Sequence, residues 1–169
     1  MPRAIWSGAI SFGLVNIPVK LYSAIRDTRV HFNRLHAEDH ARVRNQMVCE
    51  AEDRVVRADE VVRGFEVSPD HYVVVEDEEL DALEPKATRA IEILDFVDLS
   101  GIDPIYYNHP YYLIPEEEAE RPYSLLVRAL GESGKAGVGR LVMRGKEYLA
   151  AIRPVDGVVL METMHFADA

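Results

Sequence analysis

Apolar and polar residues alternate along most of this chain with the two-residue period of half-buried strands. Ala4–Phe12 (AIWSGAISF) and Leu14–Ala24 (LVNIPVKLYSA) read as the first two, and the second puts Val15, Ile17, Val19 and Leu21 on one face. Pro18 stands inside that alternation, which predicts an edge or a bend there. Val30–Leu35 and Arg42–Val48 alternate again, and His71–Val75 and Ala90–Val97 follow, the latter with Ile91, Ile93 and Val97 on one face. Val138–Met143, Glu147–Arg153 and Val158–Phe166 form a run of three strands, separated by Arg144-Gly145-Lys146 and Pro154-Val155-Asp156-Gly157. Tight turns between consecutive strands predict an antiparallel meander. Helical spacing occurs twice. Asp77 caps a short helix through Leu83, and a longer one runs from about Glu117 to Glu132. Its stripe is Tyr123, Leu126, Val127 and Leu130; Pro122 fits only its first turn and Gly134 ends it.

Many strands with few helices predict a mainly β fold, a barrel-like sheet with a helix packed at its side. Trp6, Phe12, Ile17, Leu94, Phe96, Leu126 and Leu160 are the expected core. The 169 residues show no linker, repeat or low-complexity run and read as a single domain, residues 1–169. No stretch is long and apolar enough to span a membrane. The opening MPRAIWSGAI lacks a basic region followed by an apolar run, so a cytoplasmic protein is expected.

Charge sharpens this picture. The formal net charge of −10 argues against a protein that coats nucleic acid with its whole surface. The acid is concentrated: residues 64–120 hold sixteen Asp/Glu against two Lys/Arg, while the flanking stretches are each weakly basic. A fold can therefore turn acid outward and keep base on one chosen surface. Lys20, Arg26, Arg29, Arg34, Arg42 and Arg44 cluster early, opposed only by Asp27, Glu38 and Asp39, and make the best local candidate for a phosphate-facing surface. Tyr22 and Phe32 are too few there for a base-stacking platform. No motif for nucleophilic catalysis, phosphate cradling or zinc binding is present, so no catalytic residue, cofactor or metal is expected. His31, His36, Asp39, His40 and Cys49 offer zinc-type ligands but only one thiolate and no second pair, and read as a polar loop.

Long segments carry a resemblance. RAIWSGAISFGLVNIPVKLYSA (Arg3–Ala24), LHAEDH (Leu35–His40), VVRGFE (Val61–Glu66), HYVVVEDEEL (His71–Leu80), IEILDFVDLSGIDPIYY (Ile91–Tyr107) and AAIRP…GVVLMETMHFAD (Ala150–Asp168) are similar to bacterial Ku proteins, in order and over essentially the whole chain. The resemblance implies a β-barrel core with a bridge. It implies a homodimeric ring that binds double-stranded DNA ends in non-homologous end joining, is associated with the nucleoid and works with an ATP-dependent DNA ligase. Family members continue past the equivalent of Ala167-Asp168 into a helical arm and a variable tail, and some carry several cysteines where this chain has only Cys49. On this reading Lys20, Arg34, Arg42, Arg44, Arg54 and Arg57 are the DNA-binding residues, because the guanidinium fork matches phosphate oxygens. The Ser7–Val19 and Val30–Val48 stretches are expected to build part of the dimer. The rival expectation is a protein-interaction β-barrel that binds phosphopeptides, for which exposed arginines serve equally well.

Overall fold

A computed structural model describes residues 3–167. Contacts divide the chain into two compact units: one takes the residues up to Arg26 and from Pro85 onward, the other is Asp27–Glu84. The first unit is a closed barrel. Its strands are β1 (Trp6–Phe12), β2 (Val15–Ser23), β7 (Ala90–Asp98), β8 (Tyr107–Pro115), β9 (Lys135–Met143), β10 (Lys146–Val155) and β11 (Val158–Met164), in the order β1-β2-β8-β11-β10-β9-β7. Only the β1–β7 contact that closes the ring is parallel. The helix α2 (Glu120–Ser133) packs on β10 and β9. The second unit holds two hairpins, β3 (Met47–Cys49) with β4 (Arg54–Val56) and β5 (Arg63–Ser68) with β6 (His71–Val75), followed by the short helix α1 (Asp77–Leu83).

The barrel follows from local choices. Gly13, at φ +57°, turns β1 into β2 across two residues, and Asp156-Gly157, both at positive φ, turn β10 into β11. Ile10, Ile17, Val19, Leu21, Ile91 and Leu113 fill the interior from alternate strand positions, together with Leu141, Ile152 and Met161. Pro18 is tolerated because of its register. It lies opposite Ala9, whose N–H points the other way to Arg89, and on the β8 side it stands at the end of the pairing, where its carbonyl accepts from Glu116 N–H at 3.0 Å. The proline nitrogen therefore falls where no ladder bond is needed.

The long helix matches expectation. It ends at Gly134 in the left-handed region and buries Tyr123, Leu126 and Leu130, each worth roughly 1.5–3 kcal/mol of apolar transfer. Tyr123 also joins two strands. Its hydroxyl donates to the Leu113 carbonyl and accepts from the Val159 N–H at 2.7 Å, and those two residues are paired across β8 and β11.

Three expectations need correction. Leu94 is 61% exposed and Phe96 37% exposed. Alternation puts Leu94 on the face opposite Ile91 and Ile93, and the bulge between Ile93 and Asp95 leaves it without a partner on β9, while Phe96 lies opposite Gly137 near the end of the strand. Phe96 instead meets Phe12 edge-on, with ring centroids 5.3 Å apart. At the bulge β7 runs so close to β9 that a Cβ on Gly139 would stand 1.9 Å from the Glu92 carbonyl oxygen. Second, Val30–Leu35 and Arg42–Val48 are not strands; one bridge, Leu35 to Arg42, joins them, and regular pairing starts only at Met47. Third, Trp6 and Phe12 are half-buried against the core. The strand Tyr107–Pro115 lay outside the alternation reading because Pro110 and His109 break it, yet it is central to the ring.

Tyr123→Phe removes one hydroxyl and leaves a buried N–H and a buried C=O unpaired. We expect a loss of about 1–3 kcal/mol in chemical unfolding with the barrel retained. An unchanged midpoint would mean that water or a direct strand bond replaces the hydroxyl.

Candidate nucleic-acid interface

The second unit has no core of its own. None of its residues is buried, and only Cys49, Val56, Val75 and Leu80 reach half-burial. Phe32 (88% exposed), Val30, Phe65 and Val67 stand in solvent, although two-stranded ribbons this short are marginal without cover. The unit is therefore surface on both faces, and its chemistry is set by which charges are left free.

A loop between residues 33 and 45 is pinned at its base. Val43 N–H bonds to the Arg34 carbonyl at 3.2 Å, His36 N–H to the Ala41 carbonyl at 2.8 Å, and the Leu35–Arg42 bridge lies between them. Two side-chain bonds cross it. The Arg34 guanidinium donates to Asn45 Oδ1 at 2.7 Å, and that of Arg42 to Asn33 Oδ1 at 2.9 Å. A neutral amide orients a guanidinium without cancelling its charge, so both retain donors for an anion. Arg44 stands two residues beyond Arg42 and, among the described residues, joins no ion pair. The turn of the loop is held by Asp39, whose carboxylate accepts from the Ala41 N–H at 3.0 Å and lies 2.9 Å from His36 Nδ1. The Ala41 N–H, followed by His36, holds this carboxyl below the usual range.

The other candidates differ in kind. Arg54 is bound to Glu52 and Glu60, Arg57 to Asp59 at 2.7 Å, and Arg29 to Asp27 at 2.8 Å. The backbone N–H of Arg57 and the side chain of Arg54 keep Glu60 below its ordinary pKa, so that carboxylate stays charged opposite Arg54. Lys20 belongs to the barrel unit, on β2, and pairs with Glu116 at 3.2 Å. Of the six residues proposed from the sequence, the structure brings Arg34, Arg42 and Arg44 together as uncancelled cations. Arg54, Arg57 and Lys20 each face a carboxylate. Asn33 and Asn45 escaped the sequence reading, although the order Asn33-Arg34 … Arg42 … Asn45 was a usable sign of paired amide–guanidinium bonds. His31, His36, Asp39, His40 and Cys49 are not gathered; among the described residues no three His, Cys, Asp or Glu side chains are placed to hold a metal ion. No helix among them is long and apolar enough to cross a membrane.

A closed seven-stranded barrel whose sequence is interrupted between β2 and β7 by a coreless unit carrying oriented arginines defines a class: a barrel scaffold with an inserted, arginine-bearing segment. The family comparison places it within that class. Residues 11–169 match the model of the Ku70/Ku80 beta-barrel domain. The chain is 48% identical over 169 residues to a non-homologous end joining protein Ku of Anaeromyxobacter sp., covering 99% of this chain and 57% of that protein. It is 44% identical over 168 residues to that of Koribacter versatilis, covering 99% and 58%, and 41% identical over 167 residues to that of Bacillus subtilis, covering 98% and 54%. The chain belongs to the Ku family and spans a little over half the length of these relatives.

The loop clamp has a pH signature. Asp39 has a lowered pKa in the folded loop, so its contribution is present above the ordinary carboxylate range and is lost as pH falls through the lowered folded value. We expect the protection factor of the Ala41 amide, its exchange rate set against the unstructured rate at the same pH, to be high at neutral pH and to fall at acid pH, and Asp39→Asn to lower it at neutral pH. Equal protection across that range would show that the backbone bonds alone hold the turn.

Proposed function

We propose that this protein binds ends of double-stranded DNA in non-homologous end joining, as a homodimer that closes a ring around the duplex, without catalysis of its own. A dedicated ATP-dependent DNA ligase is its partner in this reading. The observation that carries it is the inserted unit: no buried residue, apolar side chains on both faces of its ribbons, and three arginines not cancelled by acid. A segment that cannot bury its apolar residues within its own chain is stabilised by a second copy or by what it wraps. The family relationship supports the end-joining role, since the relatives named above are non-homologous end joining proteins.

Recognition in this reading is through phosphate and helix shape. Arg34, Arg42 and Arg44 reach the backbone of the duplex, and Arg54, Arg57 and Lys20 contribute only when their carboxylate partners are displaced. Phosphate contacts fix position without reading bases, so blunt ends, overhangs and different sequences bind alike. Acid over residues 64–120 disfavours binding on the wrong surface.

Replacing Arg34, Arg42 or Arg44 singly by Ala lowers affinity for all duplex sequences alike. It also reduces the slope of log affinity against log salt by about one unit. Variants of all three with unchanged slope would remove this loop from the interface. The ring itself is tested with one DNA in two forms. Linear duplex is retained at moderate salt, whereas the same DNA closed into a circle is not; equal affinity for the two would sink the ring.

A further inference from the structure

The barrel has a second basic site, where β1 begins and the β9–β10 hairpin turns. Trp6 at the start of β1, the Thr88-Arg89 segment before β7 and the Val142–Gly145 end of the β9–β10 hairpin enclose a pocket of about 360 Å³. Ser7 and Thr88 add hydroxyls, and no acidic side chain lines it, in a chain with a net charge of −10. Among the described residues, neither Arg89 nor Arg144 joins an ion pair within 4.0 Å. Both arginines are exposed.

Two features show that the pocket's form is held in place. Arg144 sits at φ +54° in the tight turn with Gly145, a left-handed position that suits Asn, Asp or Gly; three of the other four non-glycine residues at positive φ are Asp. An arginine there places a guanidinium at the pocket at a backbone cost that a turn alone does not call for. Trp6 is laid down by the absence of a side chain at Gly8, where a Cβ would stand 2.2 Å from an indole carbon. The indole is thus half-buried and fixed, with the two arginines beside it.

From this arrangement we propose that the pocket binds a single nucleotide 5′-phosphate unit, with the phosphate on Arg89 and Arg144 and the base against Trp6. Two guanidiniums and two hydroxyls match a phosphate, which accepts several donors at once. An indole beside them suits a flat ring. The volume is at the low end of small-molecule sites, enough for one nucleotide and too small for a duplex. The unit reaches the pocket either as a free mononucleotide or as the phosphorylated terminus of a single strand.

Trp6 is the only tryptophan, so its fluorescence reports on the site directly. The whole protein is titrated with thymidine 5′-monophosphate, with thymidine, with inorganic phosphate and with a short 5′-phosphorylated single-stranded oligonucleotide. Thymidine 5′-monophosphate is expected to change Trp6 emission saturably, and inorganic phosphate to compete with it. Thymidine alone should bind at least tenfold more weakly. The oligonucleotide binding more tightly than the mononucleotide assigns the site to strand termini; equal or weaker binding assigns it to free nucleotides. Arg89→Gln and Arg144→Asn are each expected to weaken binding tenfold or more. Arg144→Asn suits the left-handed turn better than arginine, so a loss of binding with an equal or higher melting temperature separates the site from folding. Arg128→Gln, at a helix position paired with Glu132, leaves binding unchanged. No saturable emission change, thymidine binding as well as its monophosphate, or full affinity in Arg89→Gln and Arg144→Asn would overturn the proposal.

Discussion

Among the described residues there is one hydrophobic core, and every buried side chain belongs to the barrel unit. Burial of apolar area is the main favourable term available to offset ordering a chain. The barrel and its helix can therefore be rigid in isolation, while residues Asp27–Glu84 hold their form through hairpin bonds, a bulge-containing ribbon and side-chain clamps. That imbalance sets the division of labour. The scaffold carries stability, and the inserted unit carries exposed surface whose apolar and cationic groups are spare.

The barrel solves its own difficulties with few residues. Closing seven strands needs one parallel contact, and a bulge in β7 opposite Gly139 lets two backbones approach there without a side chain between them. The Tyr123 hydroxyl ties the helix to the pair of strands at Leu113 and Val159, so α2 contributes hydrogen bonds as well as apolar area. Burial pushes the Tyr123 hydroxyl above its ordinary pKa, which keeps it a neutral donor and acceptor.

Electrostatics follow the same economy. Most cations of the inserted unit are matched by a nearby carboxylate, and exposed pairs of that kind contribute little stability. Their effect is to confine uncancelled charge to the amide-clamped loop. At the barrel end Arg89 and Arg144 are free in the same sense, beside an aromatic wall that the loop lacks. The two basic sites therefore differ in chemistry: one offers oriented point contacts on open surface, the other a small pocket.

Much of this was legible in the residues. The two-residue period of β1, β2 and the last three strands, the turns with Gly, the stripe of α2 and its stop at Gly134 are local properties and held. Long shared segments marked the family, and the early arginines marked the cationic region. What failed or was missed depends on partners distant in sequence. Leu94 stands in solvent as the unpaired residue of a bulge that only the register against β9 creates; Tyr107–Pro115 is a strand because β2 and β11 pair with it despite Pro110. Val30–Leu35 alternates yet pairs with nothing beyond one bridge. Which arginine is free depends on whether an amide or a carboxylate lies within reach, a matter of about 3 Å that only the folded chain decides. Alternation specifies that a face exists; the register of the neighbouring strand specifies what that face meets.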